Sequence, residues 1–254
     1  MSGEQQQGQL DVRELSVNFG KGGPRLLHRV TFTLKARQRL ALVGRSGAGK
    51  SLLAAALMRL MRPPLEISSG TAILDGDDLL HLSGNSHHRN IFLLFQHAGL
   101  VLNPCWTIGK QIRRAAATRA RDTAQVRTKA ALHCIGLEDC AQRYPFELSG
   151  GMRQRALMAI AMVLEPRVLI ADETTTGLDP LTQNEVLTQL KLLLSRTNAS
   201  LLYISHDIRS AAMLCPEALV MEQGEIVAAG AWNSLASLHP AAQRIVDASR
   251  SLEC

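Results

Sequence analysis

The sequence lacks the features that mark secreted, metal-binding or membrane-spanning proteins. Its five cysteines are odd in number and widely spaced, with no Cys-x-x-Cys pair, which argues against metal or redox chemistry. No run of about 18 apolar residues occurs, so no segment is predicted to span a bilayer by itself. The first ten residues are polar and lack the apolar core of a secretory signal. We therefore expect a protein kept in the cytosol with reduced thiols.

The composition is globular, but its charge leaves the partner open. Apolar residues make up 46% and charged residues 20%, which excludes a disordered chain. The net charge of +6 is compatible with nucleic acid or an anionic membrane surface. No dense Lys/Arg block occurs, and the nearest cluster is Arg113-Arg114 with Arg119 and Arg121. Scattered solvated cations explain the charge equally well.

One glycine-rich stretch, residues 44–51, organises the chain. It fits the phosphate-binding loop G-x-x-x-x-G-K-[ST], follows the apolar run 40–43 and precedes the helix formers of 52–58. Glycines let backbone N–H groups surround phosphate oxygens, and a helix start adds positive potential. Lys50 is expected at the β/γ-phosphates of ATP and the Ser51 hydroxyl at Mg²⁺. The predicted ATP-binding residues of the loop are Gly44, Arg45, Ser46, Gly47, Ala48, Gly49, Lys50 and Ser51.

The remaining pattern predicts an α/β fold. Buried strands alternate with helices, and alternating strands on both sides of the loop suggest an antiparallel layer beside the nucleotide site. Helix formers dominate from about residue 107 to 164, which predicts an inserted helical subdomain at about 97–165. Residues 1–9 are expected to be a flexible tail and residues 10–254 a single domain. The segment 218–227 is typical of a β-hairpin.

Three further strand ends carry polar side chains suited to ATP hydrolysis. The apolar strand 168–171 delivers Asp172, which is expected to hold Mg²⁺, and Glu173 follows, placed to polarise water. His206 ends another strand and is expected at the γ-phosphate. Gln96 ends a fourth strand, where its amide oxygen would bind Mg²⁺ or orient water. The predicted catalytic residues are Glu173, His206 and Gln96, and the predicted Mg²⁺ ligands are Ser51, Gln96 and Asp172.

The stretch 148–155, Leu-Ser-Gly-Gly-Met-Arg-Gln-Arg, resembles the signature sequence of ABC-transporter ATPases. The order and spacing of the other motifs resemble that family over about residues 10–230. The resemblance implies a P-loop NTPase core with an antiparallel β subdomain and an inserted helical subdomain. It also implies an ATPase that works with ATP and Mg²⁺.

In this family the signature closes over ATP held by an opposite subunit, which implies a head-to-tail dimer. The resemblance places Asp179 at the dimer interface and Phe19 against adenine, where tyrosine is commoner. The residues implied to meet the second subunit's ATP are Leu148, Ser149, Gly150, Gly151 and Gln154.

Two segments, 102–112 and 143–147, resemble the oligopeptide, dipeptide and nickel importer group. The compact chain, without a C-terminal cysteine cluster, most resembles the first ATPase subunit of nickel importers. Nickel or metal-chelate uptake is therefore the first expectation and di- or oligopeptide uptake the alternative. The implied partners are a second ATPase subunit, two membrane-spanning permeases and, indirectly, an extracytoplasmic binding protein. The implied location is peripheral, on the cytoplasmic face of the inner membrane.

Some positions depart from the family pattern. Thr174 replaces the proline that usually follows the catalytic glutamate, which restores an N–H beside that position. Residues 98–100 and 36–37 also differ, but no group expected to touch phosphate or metal is lost. A soluble ABC-type ATPase acting on DNA or ribosomes is a third possibility. Such proteins usually carry two cassettes or long coiled coils, and neither occurs here, so no nucleic-acid partner is expected.

Overall fold

The computed structural model describes residues 8–81, 90–95, 99, 101–177 and 179–250. Gln96 and Leu178 lie outside the described residues, and so do residues 1–7 of the predicted tail. Contacts divide the chain into two compact units. The first takes its described residues from Met1–Leu93, Arg167–Asp172 and Ala199–Cys254, and the second from Leu94–Pro166 and Glu173–Asn198. The predicted helical insert of 97–165 falls within the second unit, together with 173–198.

The strands form two sheets. A four-stranded sheet has the order β2-β1-β4-β5, and a six-stranded sheet has the order β10-β9-β3-β8-β7-β6. The strands are β1 Leu10–Phe19, β2 Arg25–Leu34, β3 Arg39–Val43, β4 Leu65–Leu74, β5 Asp77–Asp78, β6 Ile91–Leu94, β7 Val168–Asp172, β8 Ser200–Ser205, β9 Glu217–Glu222 and β10 Glu225–Ala231.

The six-stranded sheet confirms the predicted α/β core. Strand β3 pairs in parallel with β8 and β9, and β7 pairs in parallel with β8. The side chains of β8 are all buried, as expected for a strand covered on both faces. The hairpin predicted at 218–227 is β9–β10, an antiparallel pair at the edge of this sheet. The four-stranded sheet is antiparallel throughout, which confirms the predicted second layer.

Helices connect the strands and build most of the second unit. Gly136, at φ +63°, follows the helix predicted to stop there. Arg127 Nη2 donates to the Val163 carbonyl over 2.7 Å and ties two of the helices together. The helices are α1 Lys50–Leu57, α2 Ile108–Arg119, α3 Ala124–Cys134, α4 Gly150–Leu164, α5 Pro180–Thr197, α6 Ile208–Leu214, α7 Trp232–Leu235 and α8 Pro240–Arg250. Among the helices of the described ranges, none has both the length and the apolar character needed to cross a bilayer.

The start of the described chain is anchored in the first unit. The Gly8 N–H donates to Asp75 Oδ1 over 2.7 Å, and the Ser200 hydroxyl donates to the Gly8 carbonyl over 2.8 Å. Arg167 forms an ion pair with the same Asp75 carboxylate. Gly8, near the end of the predicted tail of residues 1–9, therefore has hydrogen-bond partners in the first unit.

Candidate functional site

The glycine-rich stretch forms the turn between β3 and α1, as predicted. Gly47 has φ +79°, and Gly49, at φ +104°, is the N-cap residue of α1. These are left-handed conformations that glycine adopts without steric cost. No side chain caps α1. The start of a helix carries positive potential and is suited to an anion.

Lys50 is held over this loop. It is 5% exposed, and its Nζ donates to the carbonyl oxygens of Gly44 and Arg45 over 2.9 and 3.0 Å. A buried ammonium next to the start of a helix concentrates positive charge at one point. The loop is therefore built to receive a strongly anionic group.

Parallel pairing brings three of the predicted site elements to one edge of the sheet. Val43 pairs with Ser205, and Asp172 pairs with Ile204, so the phosphate loop, Asp172 and His206 all lie at the carboxyl ends of parallel strands. This edge is the usual ligand site of an open α/β sheet. The Ser51 hydroxyl donates to Asp172 Oδ1 over 3.2 Å.

A cavity of about 600 Å³ opens beside the loop in the first unit. It is lined by loop residues 44–48, by His206, and by Glu222 and Arg244. Arg244 lies on α8 and forms a 2.9 Å ion pair with Glu222, at the end of β9. The sequence did not predict that α8 lines this cavity, because no local pattern connects that helix with a loop almost two hundred residues earlier.

Glu173 belongs to the second unit, although it directly follows Asp172 in the chain. Its backbone has φ +47°, and its Oε2 accepts a 3.3 Å hydrogen bond from the Thr176 hydroxyl. The adjacent Thr174 is 3% exposed. Its hydroxyl has no hydrogen-bond partner among the residues that the structure describes. The departure from proline at this position thus places a polar atom in the interior.

The signature stretch begins α4, as its resemblance implied. Ser149 is the N-cap residue, and its Oγ accepts a hydrogen bond from the Met152 N–H over 3.2 Å. A Cβ atom on Gly151 would lie 2.6 Å from Cγ2 of Thr182 on α5, so this glycine permits close helix packing. Leu148 and Gln154 are buried, at 4% and 3% exposure. Gln154 Nε2 has no partner in the described part of the chain.

Asp179 starts α5. Its Oδ1 accepts hydrogen bonds from the N–H groups of Leu181 and Thr182 over 3.1 and 3.0 Å. Hydrogen bonding from the Thr182 side chain and N–H lowers the pKa of Asp179 below its ordinary value. The carboxylate is therefore charged at neutral pH and lies on the surface of the second unit.

The structure also describes Phe19 and the aromatic residues of the two segments that resemble importers, 102–112 and 143–147. Phe19 ends β1 and is 52% exposed, which leaves its ring free for stacking. In the second unit two cations lie over the Trp106 ring, with Lys110 Nζ 4.7 Å and Arg114 Cζ 4.9 Å from its centre. Tyr144 and Phe146 stack with ring centres 5.6 Å apart. The exposed Tyr144–Phe146 pair gives the second unit a surface suited to a partner.

The fold and the phosphate loop define a P-loop NTPase. A family model described as ABC transporter matches residues 27–176, more than half of the chain. The chain belongs to the ABC transporter family, binds ATP and is an ATPase.

Relatives agree with this assignment, and a solved structure shares the fold. The dipeptide transport ATP-binding protein DppD of Escherichia coli is 34% identical, over 94% of this chain and 77% of that protein. DppD of Haemophilus influenzae is 36% identical over 87% of this chain and 71% of its own length. The oligopeptide transport ATP-binding protein OppD of Bacillus subtilis is 34% identical over 87% and 65%. A solved structure of an ATP-binding subunit of an ABC transporter has the same fold, with a TM-score of 0.78, 24% identity, and 95% and 99% coverage.

Proposed function

We propose that this protein is the ATP-hydrolysing subunit of an importer for dipeptides or oligopeptides. The observation that carries the ATPase role is the Ser51–Asp172 hydrogen bond of 3.2 Å, which joins the phosphate loop to a carboxylate. The peptide cargo is supported by the names of the relatives from three bacteria, which describe dipeptide or oligopeptide transport. Nickel, the first expectation from sequence, is named by none of these three, so the peptide alternative takes its place.

Residues 44–51 would hold the triphosphate. Backbone N–H groups at the start of α1 and the Lys50 ammonium supply positive charge where charge develops during phosphoryl transfer. His206 lines the cavity beside this loop and would bond the γ-phosphate. The exposed Phe19 ring would stack on adenine. We keep the role proposed for Gln96 from the sequence, in which its amide oxygen binds Mg²⁺ or orients the attacking water.

The Ser51 hydroxyl and the Asp172 carboxylate fit Mg²⁺. Both supply the hard oxygen donors that this ion prefers, and they lie within hydrogen-bond distance of each other. Mg²⁺ usually binds one or two protein oxygens together with substrate phosphates, so a large protein cage is not required. When bound, the ion would neutralise charge on the β- and γ-oxygens.

Glu173 would orient and deprotonate the attacking water. It follows Asp172 directly, and the Thr176 hydroxyl holds one of its carboxylate oxygens. A carboxylate that accepts the water proton while the phosphates are held in place contributes through general base catalysis.

A second ATPase subunit would complete the site. Ser149, Gly150 and Gly151 form the start of α4, where backbone N–H groups favour an anion such as the γ-phosphate on the partner. Asp179 is exposed and available for the same interface. ATP would then stabilise the closed dimer, and hydrolysis would reopen it.

The dimer would drive two membrane-spanning permeases, with an extracytoplasmic binding protein delivering the cargo. The exposed Tyr144–Phe146 pair and Trp106 are candidates for the permease contact. In this assembly the chain would lie peripherally on the cytoplasmic face of the inner membrane.

The catalytic assignment is tested with Glu173→Gln, which keeps side-chain volume but removes the base. We expect turnover to fall by at least about a hundredfold, while ATP-dependent dimers accumulate during gel filtration. Glu185→Gln, an exposed substitution on α5, is the matched control and should retain turnover. Normal hydrolysis by Glu173→Gln would overturn the assignment of Glu173 as the base.

The cargo is tested by deleting the gene in the source organism and restoring it with wild type or Lys50→Ala. Uptake of a radiolabelled dipeptide should be lost on deletion and regained only with the wild-type gene. Uptake of radioactive nickel should not change. A loss of nickel uptake with normal peptide uptake would reverse the order of the two cargoes.

A further inference from the structure

The hairpin turn between β9 and β10 lies against the phosphate loop. Gln223 and Gly224 form a two-residue loop, since Glu222 pairs with Glu225. Both turn residues have positive φ, +50° and +81°, as in a type I′ turn. The Gly224 N–H donates to the Ala48 carbonyl over 2.9 Å, and the Gly224 carbonyl accepts from the His28 N–H over 2.9 Å. One turn residue thus joins the loop to β2.

The hydrogen bond to Ala48 fixes the direction of a peptide group in the loop. In a planar trans peptide the C=O and the following N–H point in opposite directions. Because Gly224 holds the Ala48 carbonyl, the Gly49 N–H is directed away from the turn. Gly49 immediately precedes Lys50, so this N–H belongs to the group that would surround the phosphates.

Close contacts on both sides leave no room for a side chain at the turn. A Cβ atom on Gly224 would lie 2.2 Å from the Leu26 carbonyl oxygen, which is part of β2. A Cβ atom on Gly49 would lie 2.8 Å from Leu27 Cδ2 and 3.5 Å from Gly224 Cα. At the beginning of the loop, a Cβ atom on Gly44 would lie 2.2 Å from the Met221 carbonyl oxygen. The hairpin therefore supports both ends of the loop at backbone distance.

We propose that Gly224 is a positioning residue for the phosphate loop. It directs the Gly49 N–H toward the nucleotide by holding the Ala48 carbonyl, and its missing side chain allows β2 to support the turn. This inference rests on the proposed role of residues 44–51 in binding the triphosphate.

A second turn provides a matched control. Asp75 and Gly76 form the two-residue loop between β4 and β5, since Leu74 pairs with Asp77, and both have positive φ, +52° and +94°. A Cβ atom on Gly76 would meet nothing within 4 Å. The two glycines thus share turn type and turn position but differ in their surroundings. Asparagine tolerates positive φ, so Gly224→Asn and Gly76→Asn isolate the effect of the Cβ collision.

The experiment compares ATPase kinetics and ATP binding by calorimetry for wild type, Gly224→Asn, Gly76→Asn and Lys50→Ala. We expect Gly224→Asn to raise KM and Kd for ATP about tenfold, the effect of one misdirected hydrogen bond to a charged group, with a smaller change in kcat. Gly76→Asn should match wild type. Equal ATP affinity in the two asparagine variants, with Lys50→Ala impaired, would overturn the positioning role alone. Unchanged affinity in Lys50→Ala would instead contradict the role of the loop.

Hydrogen exchange gives a second measurement if Gly224→Asn fails to fold. In the wild-type protein without nucleotide, the Gly224 amide should exchange as slowly as the paired amides of β9. Exchange as fast as that of an open turn would show that the bond to Ala48 is not maintained, and would overturn the inference.

Discussion

The hydroxyl of Ser51 donates a hydrogen bond to Oδ1 of Asp172 over 3.2 Å, between residues 121 positions apart in the chain. Strand β8 lies between β3 and β7 in the sheet, so the two motifs do not follow adjacent strands. Ser51 nevertheless reaches Asp172, because Ser51 lies in the first turn of α1 and this helix contacts β7. The helix after the phosphate loop therefore delivers a hydroxyl to the carboxylate two strands away.

Asp172→Asn should raise the Mg²⁺ concentration needed for half-maximal ATPase activity by at least about tenfold. The amide keeps the size of the side chain but loses the negative charge. Mutating even the residues that only hydrogen-bond to a metal ligand typically costs ten- to a hundredfold in metal affinity. The measurement is ATPase rate against Mg²⁺ concentration at fixed ATP. Asp77→Asn, on an exposed position of β5, should leave the curve in place. An unchanged Mg²⁺ requirement in Asp172→Asn would exclude Asp172 as a ligand.

The sequence predicted the groups that follow strand ends but not the contacts that hold them in position. Residues 44–51, Asp172 and His206 were found because each follows an apolar run, and parallel strands bring their ends to one edge. Gly224 and Thr182 were missed, since each acts on a residue far away in the chain. A single sequence has no signal for such a pair, because turn and helix patterns describe only neighbouring residues.

Iodoacetamide at pH 8 should label Cys105 well before Cys215 in the folded protein. Cys105 is exposed, whereas burial raises the pKa of the Cys215 thiol to about 12, against a smaller opposing effect of Arg39. The reactive thiolate of Cys215 is then scarce, about one molecule in ten thousand at pH 8. Peptide mass spectrometry after timed alkylation measures the difference, and guanidinium should abolish it. Equal labelling without denaturant would mean that Cys215 is not buried.

The same thiol predicts a loss of stability in alkali. Its folded-state pKa lies above the ordinary value of 9.0, so its contribution to stability is complete below pH 9 and is lost as the pH rises toward 12. The melting temperature of the wild type should fall more steeply over this interval than that of Cys215→Ala. Parallel curves for the two proteins would contradict the raised pKa.

Thr174→Val should stabilise the protein by about 1 kcal/mol, because it removes a buried hydroxyl without a partner in the described residues. This corresponds to a rise in Tm of roughly 2–4 °C, measured by calorimetry. Thr128→Val is the matched control. Thr128 is 5% exposed, but its hydroxyl donates to the Ala124 carbonyl over 2.7 Å, so its replacement should lower Tm. A lower Tm for Thr174→Val would show that its hydroxyl does have a partner.

Gly151→Ala should destabilise the start of α4, although alanine normally favours a helix by about 1 kcal/mol over glycine. The new Cβ would lie 2.6 Å from Cγ2 of Thr182, and such overpacking typically costs about 1–3 kcal/mol. Thr182→Ser removes this methyl group and keeps the hydroxyl beside Asp179. The double variant Gly151→Ala/Thr182→Ser should therefore recover most of the lost stability.

Urea unfolding of the four proteins in this cycle measures the coupling directly. An interaction energy of at least about 1 kcal/mol is expected, since the two positions are in contact. Turnover should recover together with stability if the collision alone displaces Ser149 and Gly150. Recovery of stability without recovery of turnover would instead mean that Gly151 contributes to ATP hydrolysis in its own right, through its missing side chain or its N–H.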